Sequence, residues 1–247
     1  MGAESAVGID IGGTGIKGAR VNLVTGELLT DRIKIPTPAG GRPNEIAAVV
    51  RELANRLEVR SDERLGVCFP AVVRHGKTMS AANVSPEWIG FAAETFFEEA
   101  LGRPIQFIND ADAAGLAELK FGAAQGREGL TILTTLGTGI GSALLYNGVL
   151  IPNSELGHLE LGGIAAERQA AYSAKEREGL SWSEWAARLQ RYYELLEALF
   201  SPDLLLIGGG VSKHEREFVP LLKLSTPIRA AQFRNNAGII GAASLPG

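Results

Sequence analysis

The chain has 247 residues, of which 45% are hydrophobic and 21% charged, with a formal net charge of −4. That balance describes a globular chain able to bury one large core or two smaller ones, and it argues against a nucleic-acid partner. A single cysteine, Cys68, excludes an internal disulfide and a multi-cysteine zinc site, so no zinc is expected; no apolar run is long enough to span a bilayer.

The first segment, MGAESAVGIDIGG, has neither a basic region nor a long apolar stretch, so no signal peptide and no membrane partner are expected, and the chain reads as cytoplasmic. AVGIDI and IKGARVNL flank the turn Gly12-Gly13-Thr14-Gly15 and predict a β-hairpin, with GELLTDRIKIP as a third strand. In PNEIAAVVRELANRL, Ile46, Val49, Val50, Leu53 and Leu57 recur at helical spacing. RLGVCFPAVV returns to strand, FAAETFFEEALG is a helix stopped by Gly102, and PIQFIND is a strand running into NDADAAGLAELKFG. That last segment is a helix with Ala113, Leu116, Ala117 and Phe121 as its apolar stripe.

The second half repeats the plan. LTILTTLGTGIGSALLYNGVLI spells strand, glycine turn, strand, then a hairpin at Asn147-Gly148, and GTGI stands both at Gly13–Ile16 and at Gly137–Ile140. A helix is predicted near 164–177. A second, opening on a Ser181–Glu184 capping box, sets its apolar face with Trp185, Leu189, Tyr192, Leu196 and Leu199. PDLLLIGGGVS is a buried strand entering three glycines and then a helix. NNAGIIGAASLPG reads as a small-residue terminal helix close-packed at Gly238 and Gly241.

The pattern predicts an α/β fold built from duplicated β-meander plus α/β units, with two glycine turns facing each other across a central cleft that grips a phosphate chain. Gly12, Gly13 and Gly15 let backbone N–H groups approach a ligand, Thr14 adds a hydroxyl and Lys17 a charge; Gly137, Thr138 and Gly139 repeat the turn chemistry. Asp10, at a strand end beside the first turn, is placed to hold Mg²⁺ directly or through water, and its counterpart in the second copy is Thr134.

Asn109, Asp110 and Asp112 stand where a strand becomes a helix. Helix capping accounts for one of them, and a carboxylate at a cleft mouth suits a general base. Polar groups for a sugar-like acceptor come from Glu155, His158, Glu160 and Glu167, with Asn83 adding a carboxamide. Glu155 and His158, three apart, share a face on a helical turn, and a structural histidine is the alternative reading of His158.

These stretches, GIDIGGTGIKGA, NDADAAGLAE, LGTGIG, ELGH and LIGGG in this order, resemble the ROK sugar kinases of the actin/hexokinase superfamily. AANVSPEWIG and NGVLIPNSELGHLELGG, which lack the cysteine-rich segment that usually follows the Gly-His motif, resemble the branch of that family that phosphorylates glucose with polyphosphate.

The resemblance implies an actin-like, ribonuclease H-like ATPase fold of two lobes: 1–108 with a returning helix 236–247, and 109–235. It implies transfer of a phosphoryl group to the 6-hydroxyl of glucose, with Mg²⁺ and with polyphosphate or ATP as donor, by a homodimer. In that reading Asp110 is the base. Asn83, Asn109, Asp110, Glu155, His158 and Glu167 hold the sugar, with Glu160 competing for the place of Glu167. The two turns cradle the donor phosphates, and Gly208, Gly209 and Gly210 form the nucleotide-side loop. Ala71 stands where the family usually has glycine.

From the residues alone the donor stays open. Lys17, Lys213, His214 and Arg216 are candidate cations for a polyphosphate track, and a solvated helix face is the other reading of SKHERE. The rival readings are an ATP-dependent hexose kinase, a phosphohydrolase using water, and a sugar-responsive regulator. The regulator needs a DNA-binding segment for which the expected start, before Gly12, leaves no room.

Overall fold

In the computed structural model, which describes residues 5–246, the first glycine turn joins β1 (Ser5–Ile11) to β2 (Ile16–Asn22) as an antiparallel hairpin with Ile11 opposite Ile16. β3 (Ile33–Ile35) pairs with β2. In α1 (Pro43–Arg56), Pro43 occupies the first turn, where no N–H is missed, and Ile46, Val50 and Leu53 turn inward at helical spacing. β4 (Arg64–Phe69) runs parallel to β1, and a two-stranded ribbon of β5 (Val73–Arg74) and β6 (Lys77–Thr78) leads to α2 (Ala93–Leu101). Gly102 ends that helix at φ 66°, a left-handed value that glycine adopts without strain. β7 (Gln106–Asn109) lies parallel to β4 and hands directly to α3 (Asp110–Phe121). The sheet order is β3-β2-β1-β4-β7.

The same order recurs. β8 (Leu130–Leu136), β9 (Ile140–Tyr146) and β10 (Val149–Ile151) form the second meander, and the ribbon of β11 (Glu160–Leu161) and β12 (Ile164–Ala165) follows. Then come α4 (Ala166–Ala170), α5 (Tyr172–Glu178) and α6 (Trp182–Phe200). β13 (Leu204–Gly208), the short α7 (Glu215–Phe218) and β14 (Ile228–Ala230) complete a sheet of order β10-β9-β8-β13-β14. Both sheets therefore pair antiparallel across the glycine turn and parallel beyond it, which is the duplication read from the repeated GTGI.

The chain divides into two compact units, Met1–Ala117 with Asn236–Gly247, and Glu118–Asn235. The division thus falls inside α3, nine residues on from the 108/109 boundary expected from the sequence. α8 (Ala237–Ala243) returns to the first unit and packs on β1 and β4. Its approach is so close that a Cβ at Gly66 would stand 1.9 Å from the carbonyl oxygen of Ala242, and one at Gly241 would stand 1.7 Å from that of Ala113. On the opposite face of this sheet Trp88 lies 5.6 Å from Phe97 and 4.6 Å from Phe69, centroid to centroid, and donates its indole N–H to Gly41 O.

Three predicted elements differ from the structure. The single helix expected near 164–177 is β12 followed by two short helices, because Ala171 is extended (ψ 156°) and redirects the chain. The break places Tyr172 against Trp182 and Trp185, at 6.3 and 5.8 Å between centroids. Leu199 of α6 is exposed, and Phe200 takes the partly buried place in the core instead. After the three glycines the chain forms a 3-10 turn, Gly210–His214, and only then the four-residue α7.

Candidate active site

In the first unit the C-terminal ends of parallel strands β1, β4 and β7 bring together Asp10, Cys68 and the Asn109-Asp110 pair. The register sets Asp10 beside Cys68 and Cys68 beside Ile108. Ends of this kind are where open α/β sheets bind ligands. Asp10 Oδ2 accepts from Lys17 Nζ at 3.1 Å, and Oδ1 lies 3.6 Å from the Cys68 thiol, which also reaches Gly238 O. Burial first, and then the Asp10 and Asp110 carboxylates, push the Cys68 thiol well above its ordinary range, so it stays a neutral donor. Lys17, read from sequence as a free charge for phosphate, is thus also the counter-ion of Asp10.

The Gly12–Gly15 turn is closed by Gly12 N–H to Gly15 O at 3.2 Å and braced by Thr37 Oγ1 donating to Gly12 O at 2.5 Å. Gly13 and Thr14 are exposed, and a Cβ at Gly13 would stand 3.1 Å from Asn83 Cβ, so the turn and Asn83 lie side by side. Asn109 is buried and heavily engaged: Oδ1 accepts from the N–H groups of Ala111 and Asp112 at 2.8 and 3.0 Å, and Nδ2 donates to Ala71 O at 2.9 Å. Capping is its evident work, as the helix-start reading anticipated. Asp110, half-buried, heads α3 and accepts from the Ala111 N–H at 2.8 Å.

In the second unit Glu155, His158 and Glu167 form a cluster. A 3-10 turn, Leu156–His158, carries His158 back toward Glu155, whose carbonyl accepts the His158 N–H at 3.1 Å. His158 Nε2 lies 3.7 Å from Glu167 Oε1, and Glu167 Oε2 meets the Ile140 N–H at 3.4 Å just after the second glycine turn. A Cβ at Gly139 would stand 2.5 Å from that same oxygen, so glycine there makes room for the carboxylate. Burial pushes the Glu155 carboxyl above its ordinary range, with His158 opposing and Glu167 adding to the shift. Glu160 lies exposed on β11, and Glu167 rather than Glu160 touches His158.

The second turn, closed by Gly137 N–H to Gly139 O at 3.0 Å, is braced by Ser173, which donates its hydroxyl to Thr138 O at 2.6 Å and its N–H to Gly137 O at 3.0 Å. It is one residue shorter than the first. Counted along the strands, the partner of Asp10 is therefore Thr135, not Thr134 as the GTGI alignment suggests. Thr134 is wholly buried, with its hydroxyl 2.7 Å from that of Tyr193. Gly208 ends β13, Gly209 follows it and Gly210 opens the 3-10 turn; Gly209, at φ 80°, passes so near that a Cβ would stand 2.7 Å from Leu136 O. Of the cations after it, His214 lies 5.4 Å from the Trp182 ring while Lys213 and Arg216 are exposed. Thr37 and Ser173, which brace the two turns, are absent from the sequence reading. Thr37 lies between two prolines and Ser173 at a helix start, positions that read as loop and cap.

Residues 6–179 match the ROK family. The polyphosphate glucokinase of Mycobacterium tuberculosis (strain CDC 1551 / Oshkosh) is 47% identical over 237 residues, 96% of this chain and 89% of its own. The chain belongs to the ROK family. The polyphosphate glucokinase of Mycobacterium leprae is 45% identical over the same share of this chain, which spans 72% of it. Among solved structures, the inorganic polyphosphate/ATP-glucomannokinase of Arthrobacter sp. strain KM superposes with a TM-score of 0.94 at 48% identity, covering 97% of this chain and 96% of that one. A ROK family glucokinase from Streptomyces griseus, 23% identical, has the same fold at a TM-score of 0.81. The duplicated sheets are thus the α/β, actin-like fold of the ROK sugar kinases. Among the described residues no helix is long and apolar enough to cross a membrane.

Proposed function

We propose that this chain transfers the terminal phosphoryl group of polyphosphate to the 6-hydroxyl of glucose, with ATP as a second donor. The observation that carries the reading is the 47% identity with a polyphosphate glucokinase across 96% of the chain. The glucomannokinase from Arthrobacter, named for both polyphosphate and ATP, supports the double donor.

In this reading Asp110 takes the proton of the 6-hydroxyl as its oxygen attacks phosphorus, and the bond to the next phosphate breaks to release a shortened chain. Asp110 suits the role because its carboxylate heads a helix and already accepts one N–H, which fixes its orientation. Asn83, Asn109, Glu155, His158 and Glu167 are the residues proposed to receive sugar hydroxyls; Asn109 also sets the start of the helix that carries the base. The remaining N–H groups of the two turns, those of Gly13, Thr14 and Gly15 and of Thr138 and Gly139, hold phosphate oxygens, since the Gly12 and Gly137 N–H groups close the turns; Gly208–Gly210 serve the nucleotide side when ATP is the donor.

Mg²⁺ would neutralise phosphate charge. Asp10 is its candidate ligand, already engaged by Lys17 and Cys68, and among the described residues no group of three His, Cys, Asp or Glu side chains forms a cage. Asp10 would hold the ion directly or through water, and the ion would supply charge neutralisation to the phosphates. A homodimer working in the cytoplasm completes the reading; the dimer is what the family resemblance implies, and the cytoplasm is the reading of the composition.

Glucose-dependent formation of glucose 6-phosphate with Mg²⁺, comparing polyphosphate and ATP at matched phosphoryl concentration, tests the proposal. Faster turnover with polyphosphate is expected. Turnover with ATP alone would reduce the chain to an ATP-dependent hexose kinase.

A further inference from the structure

The strand registers of the first sheet set four side chains in one row. Cys68 on β4 is opposite Asp10 on β1, Asp10 is opposite Lys17 on β2, and Lys17 is opposite Lys34 on β3. Directly opposed residues share a face of a sheet, so the row runs from the buried thiol, through the Asp10–Lys17 ion pair, out to Lys34 on the edge strand. Lys34 is exposed and forms no ion pair among the described residues. Its stem is held in place. A Cβ at Gly15 would stand 2.3 Å from Lys34 Cε and 3.4 Å from its Cγ and Cδ, so the side chain lies across the last glycine of the phosphate turn.

An unpaired cation laid over a phosphate turn, one strand beyond the lysine that follows it, continues the positive charge outward from the turn. We propose that Lys34 is a donor-binding residue that takes the phosphates of a linear polyphosphate lying beyond those held by the Gly12–Gly15 turn and Lys17. The inference rests on polyphosphate being the donor. Strand spacing of about 4.8 Å puts the two lysines within reach of nearby phosphates on one chain. Because Lys17 is shared with Asp10 while Lys34 has no acidic partner, Lys34 brings its whole charge to the ligand. A nucleoside triphosphate ends in a base and ribose and has no further phosphates to offer, so Lys34 distinguishes donors by their length.

The test uses the full chain with Lys34→Gln, Lys34→Glu and Lys34→Arg, reading KM for long-chain polyphosphate, ATP and glucose across a salt series. Lys34→Gln is expected to raise the polyphosphate KM about fivefold, Lys34→Glu further, and Lys34→Arg to restore it. The slope of log KM against log salt for polyphosphate is expected to become shallower by about 0.7 in Lys34→Gln, one counterion's worth on a single-stranded polyanion. KM for ATP and for glucose stays at the wild-type value. If wild type uses polyphosphate and Lys34→Glu has the same polyphosphate KM, this inference alone is overturned. An equal rise in the ATP KM overturns it too, by making Lys34 a general phosphate contact. If wild type makes glucose 6-phosphate from ATP but not from polyphosphate, the donor reading fails and takes this inference with it.

Discussion

The hairpins β1–β2 and β8–β9 have the same strand lengths and pairing, and their buried and half-buried positions follow the same order except at the last residue. Yet the first carries Asp10, Lys17 and Arg20 where the second carries Thr135, Gly141 and Leu144. Both first strands are buried over four consecutive residues, and that burial tolerates either set at the strand ends. The charges were therefore free to differ, and they collect in one copy. The first hairpin holds an ion pair beside its turn and ties Arg20 to the buried Glu63 at 2.6 Å. The second is neutral along both strands, and its turn borders a carboxylate supplied from outside the hairpin, Glu167. The paired charges thus sit in the first hairpin, and the carboxylate beside the second turn comes from α4.

The strongest asymmetry is at the last strand of each sheet. β7 leads straight into Asp110, whereas β14 is followed by Ala231 and a 3-10 turn, Arg234–Asn236. Asp110→Asn is expected to lower kcat by about a thousandfold while leaving the glucose Kd within about twofold, as read by turnover and calorimetry. Near-normal turnover would place the base elsewhere.

Next in size is the charged brace of the first hairpin. Arg20 also donates to the carbonyls of Leu57 and Glu58, so Glu63→Ala leaves a partly buried guanidinium without its carboxylate. A loss of about 3 kcal/mol is expected in denaturant unfolding. Burial works to raise the Glu63 carboxyl, but hydrogen bonds from Arg20 prevail and hold it below the ordinary value. A depressed carboxyl stabilises the fold above its unfolded pKa and loses that contribution as pH falls through the folded value. Hydrogen exchange on acidification is therefore expected to loosen β1–β2 before β8–β9. Simultaneous opening would refute the assignment of that brace.

A smaller effect tests the neutral copy. Thr134 takes the strand position of Ile9, and its hydroxyl meets that of Tyr193 inside the core. Thr134→Val strands the Tyr193 hydroxyl and is expected to cost about 1–2 kcal/mol. The double variant with Tyr193→Phe is expected to recover most of it. No recovery would mean that the pair does not act as a unit.

Much of this fold is legible locally. The hairpins, α1, α2 and the Ser181–Glu184 box rest on periodicity, turn glycines and caps, which act over a few residues. What escapes the sequence depends on register or on distant packing. Ala171 is an ordinary helix former, and the chain breaks there to bring Tyr172 onto Trp182 and Trp185. The repeated GTGI hides that one turn spans four residues and the other three, which shifts the counterpart of Asp10 by one position. Lys17 is visible beside its turn, but its pairing with Asp10 and its neighbour Lys34 appear only once three strands are in register. That His158 lies against Glu167 and not Glu160 is likewise a contact between separate elements, α4 and the 3-10 turn, that spacing does not encode.

We propose that each of the two glycine turns contributes to holding the polyphosphate donor. The direct measurement is equilibrium titration of polyphosphate into wild type, Thr14→Ala, Thr138→Ala and the double variant, in the presence of Mg²⁺. Both hydroxyls stand on exposed turn residues, so neither change is expected to unfold the chain. Each single variant is expected to weaken binding by about five- to tenfold, the net worth of one hydrogen bond, and the double variant by more than either. Wild-type affinity in Thr138→Ala together with a loss in Thr14→Ala would contradict the claim, leaving the donor to the first turn alone.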